Sequence, residues 1–381
     1  MQPRLDRYER FLKSGYREGF LKGHEYSLDE VTPQLSERIA SGHFTRVVFT
    51  GMGCSAIVSD VIRTFIKEID AGFEVYVFND YDFTHLVPAS VIEDEHTLFV
   101  ISSYSGHSEE PVRVFHTLES RHDRTLLLTS GGRLAELGTD AGVSVARWQL
   151  SEPDREYPLF HVGQYFAILM DMFLRLGLIS QDHRRAIAEL PAQLASDFSP
   201  ELLELAHTAA RRSENANVIM IASPKWHESL LKLAKMHVNE MAMAPMTRNY
   251  LHEFCHSEVA TLSDPGRRHS LVIFIDDDDD DYTKQKMRNL ERLLTGDIPQ
   301  NANVNVTRVE MTQPTFIRKY FTALEFVQHM SLALGRTYGT ESRDLISEAA
   351  GNSWYHSTTI EAGVDVRRPQ VPVAAGSTTI P

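Results

Sequence analysis

The run Leu98-Phe-Val-Ile-Ser-Ser-Tyr-Ser-Gly-His-Ser-Glu-Glu110 constrains this chain more than any other stretch. Apolar, mostly β-prone residues stop abruptly at hydroxyls gathered around one glycine. Acidic residues and a proline then open a helical pattern. A strand that ends in such a turn and passes into a helix belongs to an α/β unit. Ser103, Ser105 and Ser108 can each donate to an anion, and the helix start adds backbone N–H groups and a positive dipole end. Such a loop holds a phosphate without Lys or Arg and points to a phosphorylated small molecule. The same residues also suit a plain serine-rich turn in which Ser108 is an N-cap.

A second segment of the same kind, Val47-Val-Phe-Thr-Gly-Met-Gly-Cys-Ser-Ala-Ile57, precedes it. Gly51 and Gly53 let backbone approach a ligand closely, and Ser55 supplies another hydroxyl. Two such loops suit a ligand site at the carboxyl ends of parallel strands. The spacing is not the dinucleotide fingerprint, since no G-x-G-x-x-G follows the first strand.

Strand-like runs recur at Val47–Thr50, Phe73–Phe78, Thr97–Ile101, Thr125–Thr129 and Val143–Trp148, with helical stretches between most of them. This alternation predicts a doubly wound parallel sheet. Residues 163–178 form a strongly apolar helix, and residues 1–42 read as mostly helical. The pattern then restarts with strands Val218–Ala222, Leu271–Ile275 and Val304–Val309, and helices Glu228–Met243, Tyr282–Leu294 and Phe316–Leu334. The expected fold class is α/β, with two similarly built halves, the second starting near residue 185. The stretch from Arg367 to Pro381 has no helical period and is expected to be an arm or disordered.

At 381 residues the chain suits about two domains. Its net charge of −14 argues against a nonspecific nucleic-acid binder and leaves anion binding to local donors. Cys54 and Cys255 are the only cysteines, too few for a disulfide framework or a cysteine zinc site. No secretory h-region opens the sequence and no apolar run is long enough for a membrane span, so the expected setting is the cytoplasm. Asp276–Asp281 is six consecutive aspartates. It lacks the alternating spacing of a calcium loop and reads as a solvated loop at a helix start.

The second half carries the candidate acid–base residues. On the Glu228–Met243 helix, Leu230, Leu233, Ala234 and His237 form an inner stripe, and Glu240 follows Asn239 among Met and Ala. A carboxylate buried there would have a raised pKa, as a general base near neutrality needs; an exposed helix carboxylate is the alternative. His252-Glu-Phe-Cys-His256 matches the H-E-x-x-H zinc pattern, but a zinc site of that kind needs the pattern on a helix plus a third ligand, and the local sequence reads as a loop. Acid–base work by His256, with Glu258 as an orienting partner, stands beside a structural or surface histidine.

These segments, in this order, resemble the sugar isomerase (SIS) domain family, in particular its double-SIS branch of bifunctional phosphoglucose/phosphomannose isomerases. Gly51-Met-Gly-Cys-Ser55 matches a G-x-G-G-S loop, Ser103-Tyr-Ser-Gly-His-Ser108 an S-Y-S-G-N-T loop, Asn239-Glu240 an N-E pair, and Glu253-Phe-Cys-His-Ser-Glu258 an E-L-N-H-N-E segment. The resemblance implies a helical extension over residues 1–42, a first SIS domain with the phosphate loops over 43–180, a second with the catalytic Glu and His over 185–350, and a C-terminal segment over 351–381. It implies that Gly53, Cys54, Ser55, Ser103, Ser105 and Ser108 bind a sugar phosphate. Glu240 would move a proton between C1 and C2 through a cis-enediol, and His256 would open the ring. In family dimers this histidine can reach the pocket from the partner subunit, which implies a homodimer. Such chemistry needs neither a redox cofactor nor a metal.

Three departures stand out. Cys54 replaces the second glycine of the first loop. Arg155, in Glu152-Pro-Asp-Arg-Glu-Tyr-Pro158, is the candidate for the family's arginine near the sugar. Asn352 stands where the family has a lysine. They leave the identity of the sugar open. A SIS-fold lyase or deglycase acting on a substituted sugar phosphate, and a non-catalytic sugar-phosphate-binding protein, are the competing expectations.

Overall fold

A computed structural model describes residues 4–150 and 158–343. Arg155, Asn352 and the segment from Arg367 onward lie outside the described residues. The described chain builds two sheets. The first has the order β1-β6-β5-β4-β2-β3, from β1 (Tyr26–Glu30), β2 (Arg46–Gly51), β3 (Glu74–Val77), β4 (Thr97–Ser102), β5 (Thr125–Thr129) and β6 (Ser144–Trp148). The second has the order β10-β9-β7-β8, from β7 (Asn217–Ala222), β8 (Met246–Tyr250), β9 (His269–Asp276) and β10 (Val304–Met311). All pairings are parallel except β1 with β6.

Every expected strand forms; the central ones are apolar runs of the kind that parallel sheets bury on both faces, while the edge strands β3 and β10 mix apolar and polar residues and are only partly buried. β2, β4, β5, β7 and β9 are nearly or wholly buried. Two strands depart from the sequence reading. β1 lies inside the segment expected to be helical, between helices Tyr16–Leu21 and Pro33–Ala40. β8 occupies a stretch that reads as loop. Both are edge strands with polar, partly exposed residues, so their hydrogen bonding to β6 and β7 decides their state rather than an apolar pattern.

The apolar helix Val162–Leu176 is almost wholly buried in a core that runs through both halves. Helix Phe316–Tyr338 shares this core, and the N-terminal Leu5 and Tyr8 are fully buried in it as well. The strand orders of the two sheets coincide: β3-β2-β4-β5 in the first repeats as β8-β7-β9-β10 in the second. No described helix is long and apolar enough to cross a membrane.

Candidate functional site at the carboxyl ends of the first sheet

β2 ends where Met52 is extended and Gly53 turns into the left-handed region at φ +56°, and helix Gly53–Glu68 begins. Only glycine takes this turn without strain. At Gly51 an added Cβ would stand 2.7 Å from the Ser102 carbonyl oxygen, so β2 and β4 approach closely here. Ser55 is buried, and its Oγ accepts a hydrogen bond from the Tyr104 N–H at 3.2 Å. The first loop is thereby tied to the second.

The second loop brings Ser103, Ser105 and Ser108 together between β4 and helix Glu109–Thr117. Ser103 is 3 % exposed, yet its Oγ has no hydrogen-bond partner. Ser105 is exposed, and its Oγ accepts from the His107 N–H at 3.2 Å. Ser108 is the N-cap residue, but its side chain makes no capping bond. The plain serine-turn reading, with Ser108 as a hydroxyl cap, is therefore not what forms. A buried, unsatisfied hydroxyl costs about 1–3 kcal/mol, and a ligand oxygen would relieve that cost.

A third loop, missed in the sequence, braces the second. After β5, Thr129-Ser130-Gly131-Gly132 leads into helix Gly132–Asp140. The Ser130 N–H and Oγ both donate to the Tyr104 carbonyl, at 2.9 and 2.7 Å, and the Leu134 N–H donates to the Gly106 carbonyl at 2.9 Å. Gly106 and Gly132 both have positive φ. A Cβ on the first would collide with the Gly131 carbonyl oxygen, and one on the second with the Ser105 carbonyl oxygen. The signal was available: another apolar strand followed by a Ser-Gly-Gly turn. Behind the loops Tyr165 stacks on Trp148, with ring centroids 4.3 Å apart, and its hydroxyl bonds Ser102.

Glu240 reaches this region from the second half. It lies near the end of helix Lys232–Met241 and is half-buried, less sequestered than a base in a fully apolar pocket would be. The Cys54 thiol is pushed up first by burial and then by the negative charge of Glu240, so the carboxylate lies within electrostatic reach of the glycine loop. The predicted inner stripe is buried throughout. On it, burial lowers the His237 pKa to about 3, and the neutral ring shares a 2.9 Å hydrogen bond with the Tyr8 hydroxyl.

His256 is exposed at the end of helix Leu251–His256. The H-E-x-x-H residues are thus helical, against expectation, because Leu251 and Phe254 are drawn into the core beneath β8. His252 stacks on Tyr282. Glu258, expected to orient His256, keeps Oε2 buried and without a hydrogen bond. Among the described residues, the one His/Cys/Asp/Glu group compact enough for a metal is Asp276, Asp277 and Asp278, elsewhere in the second half. A cleft of about 1290 Å³ lined by Arg63, Lys67, Glu68, Lys225 and Phe316 adjoins the far end of helix Gly53–Glu68 and contains none of the expected site residues.

Residues 203–345 match the family model described as the bacterial phospho-glucose isomerase C-terminal SIS domain. The bifunctional phosphoglucose/phosphomannose isomerase of Caldicellulosiruptor bescii is 25% identical over 314 residues, covering 81% of this chain and 89% of that protein. Its namesake from Thermoplasma acidophilum is 22% identical, covering 85% and 96%. The crystal structure of tagatose-6-phosphate ketose/aldose isomerase from Escherichia coli superposes with a TM-score of 0.57 at 14% identity, over 90% of this chain and 96% of that one. The chain has a double-SIS fold.

Within the two SIS-type halves, the loops at equivalent positions differ in chemistry. After β7, the Ser223 Oγ donates to Asp279 at 2.8 Å. After β9 comes the aspartate run, which is not simply solvated. Asp280 does cap helix Asp281–Thr295, accepting from the Thr283 N–H at 3.0 Å. Asp276, however, is fully buried, bonded by Trp226 Nε1 at 3.0 Å and paired with Lys225 and Lys319. Lys319 also holds Asp277 and Asp278. Burial pulls the Lys319 ammonium down, but the three aspartates outweigh it and leave its pKa raised.

Proposed function

We propose that this chain is a sugar-phosphate aldose–ketose isomerase working through a cis-enediol. The observation that carries the reading is the unsatisfied, buried Ser103 hydroxyl in a braced two-loop cradle, with the Glu240 carboxylate within electrostatic reach of Cys54 in the first loop. Ser55, Ser103, Ser105 and Ser108 hold the phosphate, with the Gly53–Cys54 backbone close to the ligand. Anchoring that remote, unreactive group positions C1 and C2. Glu240 takes the proton from C2 of the open-chain aldose and returns it to C1, while the hydroxyl proton passes from O2 to O1. His256 serves ring opening. Its exposed place at the end of a short helix favours delivery to the pocket of a second copy, so the working unit is a homodimer. Arg155 and Asn352, outside the described residues, are assigned to the sugar end by resemblance. The similarity to phosphoglucose/phosphomannose isomerases supports a phosphorylated sugar as substrate.

The test is incubation with hexose, pentose and heptose phosphates in heavy water, followed by NMR. Deuterium entering at C2, with the partner sugar appearing, is the expected result. Binding without exchange would mean a non-catalytic binding protein, and release of a second molecule would mean a lyase.

A further inference from the structure

We propose that the Asp80–Lys232 ion pair positions Glu240 against the glycine loop, an inference that rests on the isomerase reading above. The pair joins the two halves where their functional segments meet. Asp80 follows β3, and its N–H donates to the Gly51 carbonyl at 3.1 Å, so its backbone is fastened to the first loop. Its carboxylate pairs with Lys232, the first residue of the helix that carries Glu240. Eight residues of helix separate Lys232 from Glu240, about 12 Å along the axis. The helix that carries Glu240 packs against helix Gly53–Glu68, and Glu240 lies within electrostatic reach of Cys54. Loop, ion pair, helix and carboxylate thus close a ring, and tilting the helix away from the first half must break the pair.

The turn that presents Asp80 is costly. Asp80 and Tyr81 are consecutive non-glycine residues at φ +56° and +74°. Such strain persists only where its surroundings over-determine it. Here Asn79 supplies the restraint: its Nδ2 donates to the Ala56 carbonyl at 2.9 Å and to Asp60 at 3.1 Å, both on helix Gly53–Glu68. The return in stability is small, because the Asp80 side chain is 45% exposed and half-exposed ion pairs contribute little. Lys232 is largely withdrawn from water at 17%, and Glu228, one turn earlier, is taken by His227 and Arg248. A strained turn holding a weakly stabilising pair is a poor stability device and a good geometric one.

The experiment compares Asp80→Asn, Lys232→Met and the double variant Asp80→Asn/Lys232→Met with the unaltered protein. Asn tolerates the left-handed backbone, so Asp80→Asn keeps the turn. Turnover, KM and amide hydrogen exchange are measured for each. The expected result is a kcat lower by about 10-fold in both single variants with KM within about twofold, since small misplacements of a reacting group cost that much or more. Exchange should rise together in residues 51–54 and 232–241, and the double variant should lose no more in either readout than the worse single variant. Unchanged kcat in the singles, or losses that add in the double variant, overturn the proposal. If the unaltered protein moves no carbon-bound proton of any sugar phosphate, the isomerase reading fails instead. The pair is then judged by coupled exchange alone, and its absence overturns the coupling.

Discussion

The two halves repeat one strand order, yet the loops at the carboxyl ends of their central strands have opposite character. In the first half, the loops after β2 and β4 carry glycines and hydroxyls, and Ser103 Oγ is buried without a partner. In the second half, the loops after β7 and β9 carry Ser223 and the aspartates, which pair with one another and with Lys225 and Lys319, leaving Asp279 Oδ2 as a buried oxygen without a partner. The first arrangement is ready for an anion. The second repels anions and holds the chain's own ammonium. One topology therefore offers two pseudo-equivalent loop clusters, and side-chain chemistry alone leaves a hydroxyl unpaired in one while using the other as a joint.

The sharpest break of this comparison lies with Glu240, the proposed base, which the second half brings within electrostatic reach of the first loop. Glu240→Gln should lower turnover by about 10²–10⁴-fold, the range for a general base, while phosphate binding measured by calorimetry stays near its original value. Normal turnover would remove Glu240 from the mechanism. Lys319→Met attacks the closed site. It leaves Asp276 buried with fewer partners and should cost about 3–5 kcal/mol in denaturant unfolding. A loss of less than about 1 kcal/mol would show that Lys319 is not the joint described. In the open site the corresponding cost should fall on binding. Ser105→Ala with Ser108→Ala should raise KM roughly 10- to 100-fold, as loss of hydrogen bonds to a charged group does, with kcat little changed.

The equivalent helices also answer pH in opposite senses. Asp60, on helix Gly53–Glu68, has its carboxyl pushed up to about 6 by burial, with Arg63 and Lys232 pulling back. Between an unfolded pKa near 4 and the folded value, the folded chain keeps a proton that the unfolded chain has lost. Stability from this group therefore falls as pH rises through that window, by an amount on the order of 2–3 kcal/mol. His237, on helix Lys232–Met241, is lowered to about 3 by burial. Between that value and about 6.5 only the unfolded chain binds the proton, so stability falls as pH drops. The melting temperature of Asp60→Asn should gain on that of the unaltered protein between pH 4 and pH 7. A gap that does not move with pH would contradict the Asp60 assignment. The smallest expected effect is on Ser103→Ala, which deletes an unpaired buried hydroxyl and should raise stability by about 1 kcal/mol, while still weakening sugar-phosphate binding.

Much of this was legible in order along the chain. Apolar runs ending in Gly/Ser turns announce strands β2 and β4 and the loops that follow, because a buried parallel strand has no polar residues to obscure it. Glu240 and His256 stand out by their neighbours in sequence, and the roles given to them are those proposed above. The edge strands β1 and β8 were not, since polar residues there are recruited by the hydrogen-bonding edge beside them. The helical state of His252–His256 was not legible either. Nor was the burial of Asp276, which depends on Lys319 arriving from a helix more than forty residues away.

What the sequence determined by itself was local: which segments become strands, where glycine permits a turn, and which hydroxyls and carboxylates are present. Tertiary structure alone decided which of these groups remain unpaired. Ser103 and Ser223 are both serines just past buried strands. Asp279 satisfies one and nothing in the described protein satisfies the other. Hydrogen bonding and charge pairing act over a few ångströms in space, whatever the separation along the chain, so the difference between an open site and a closed one appears only after the halves have packed.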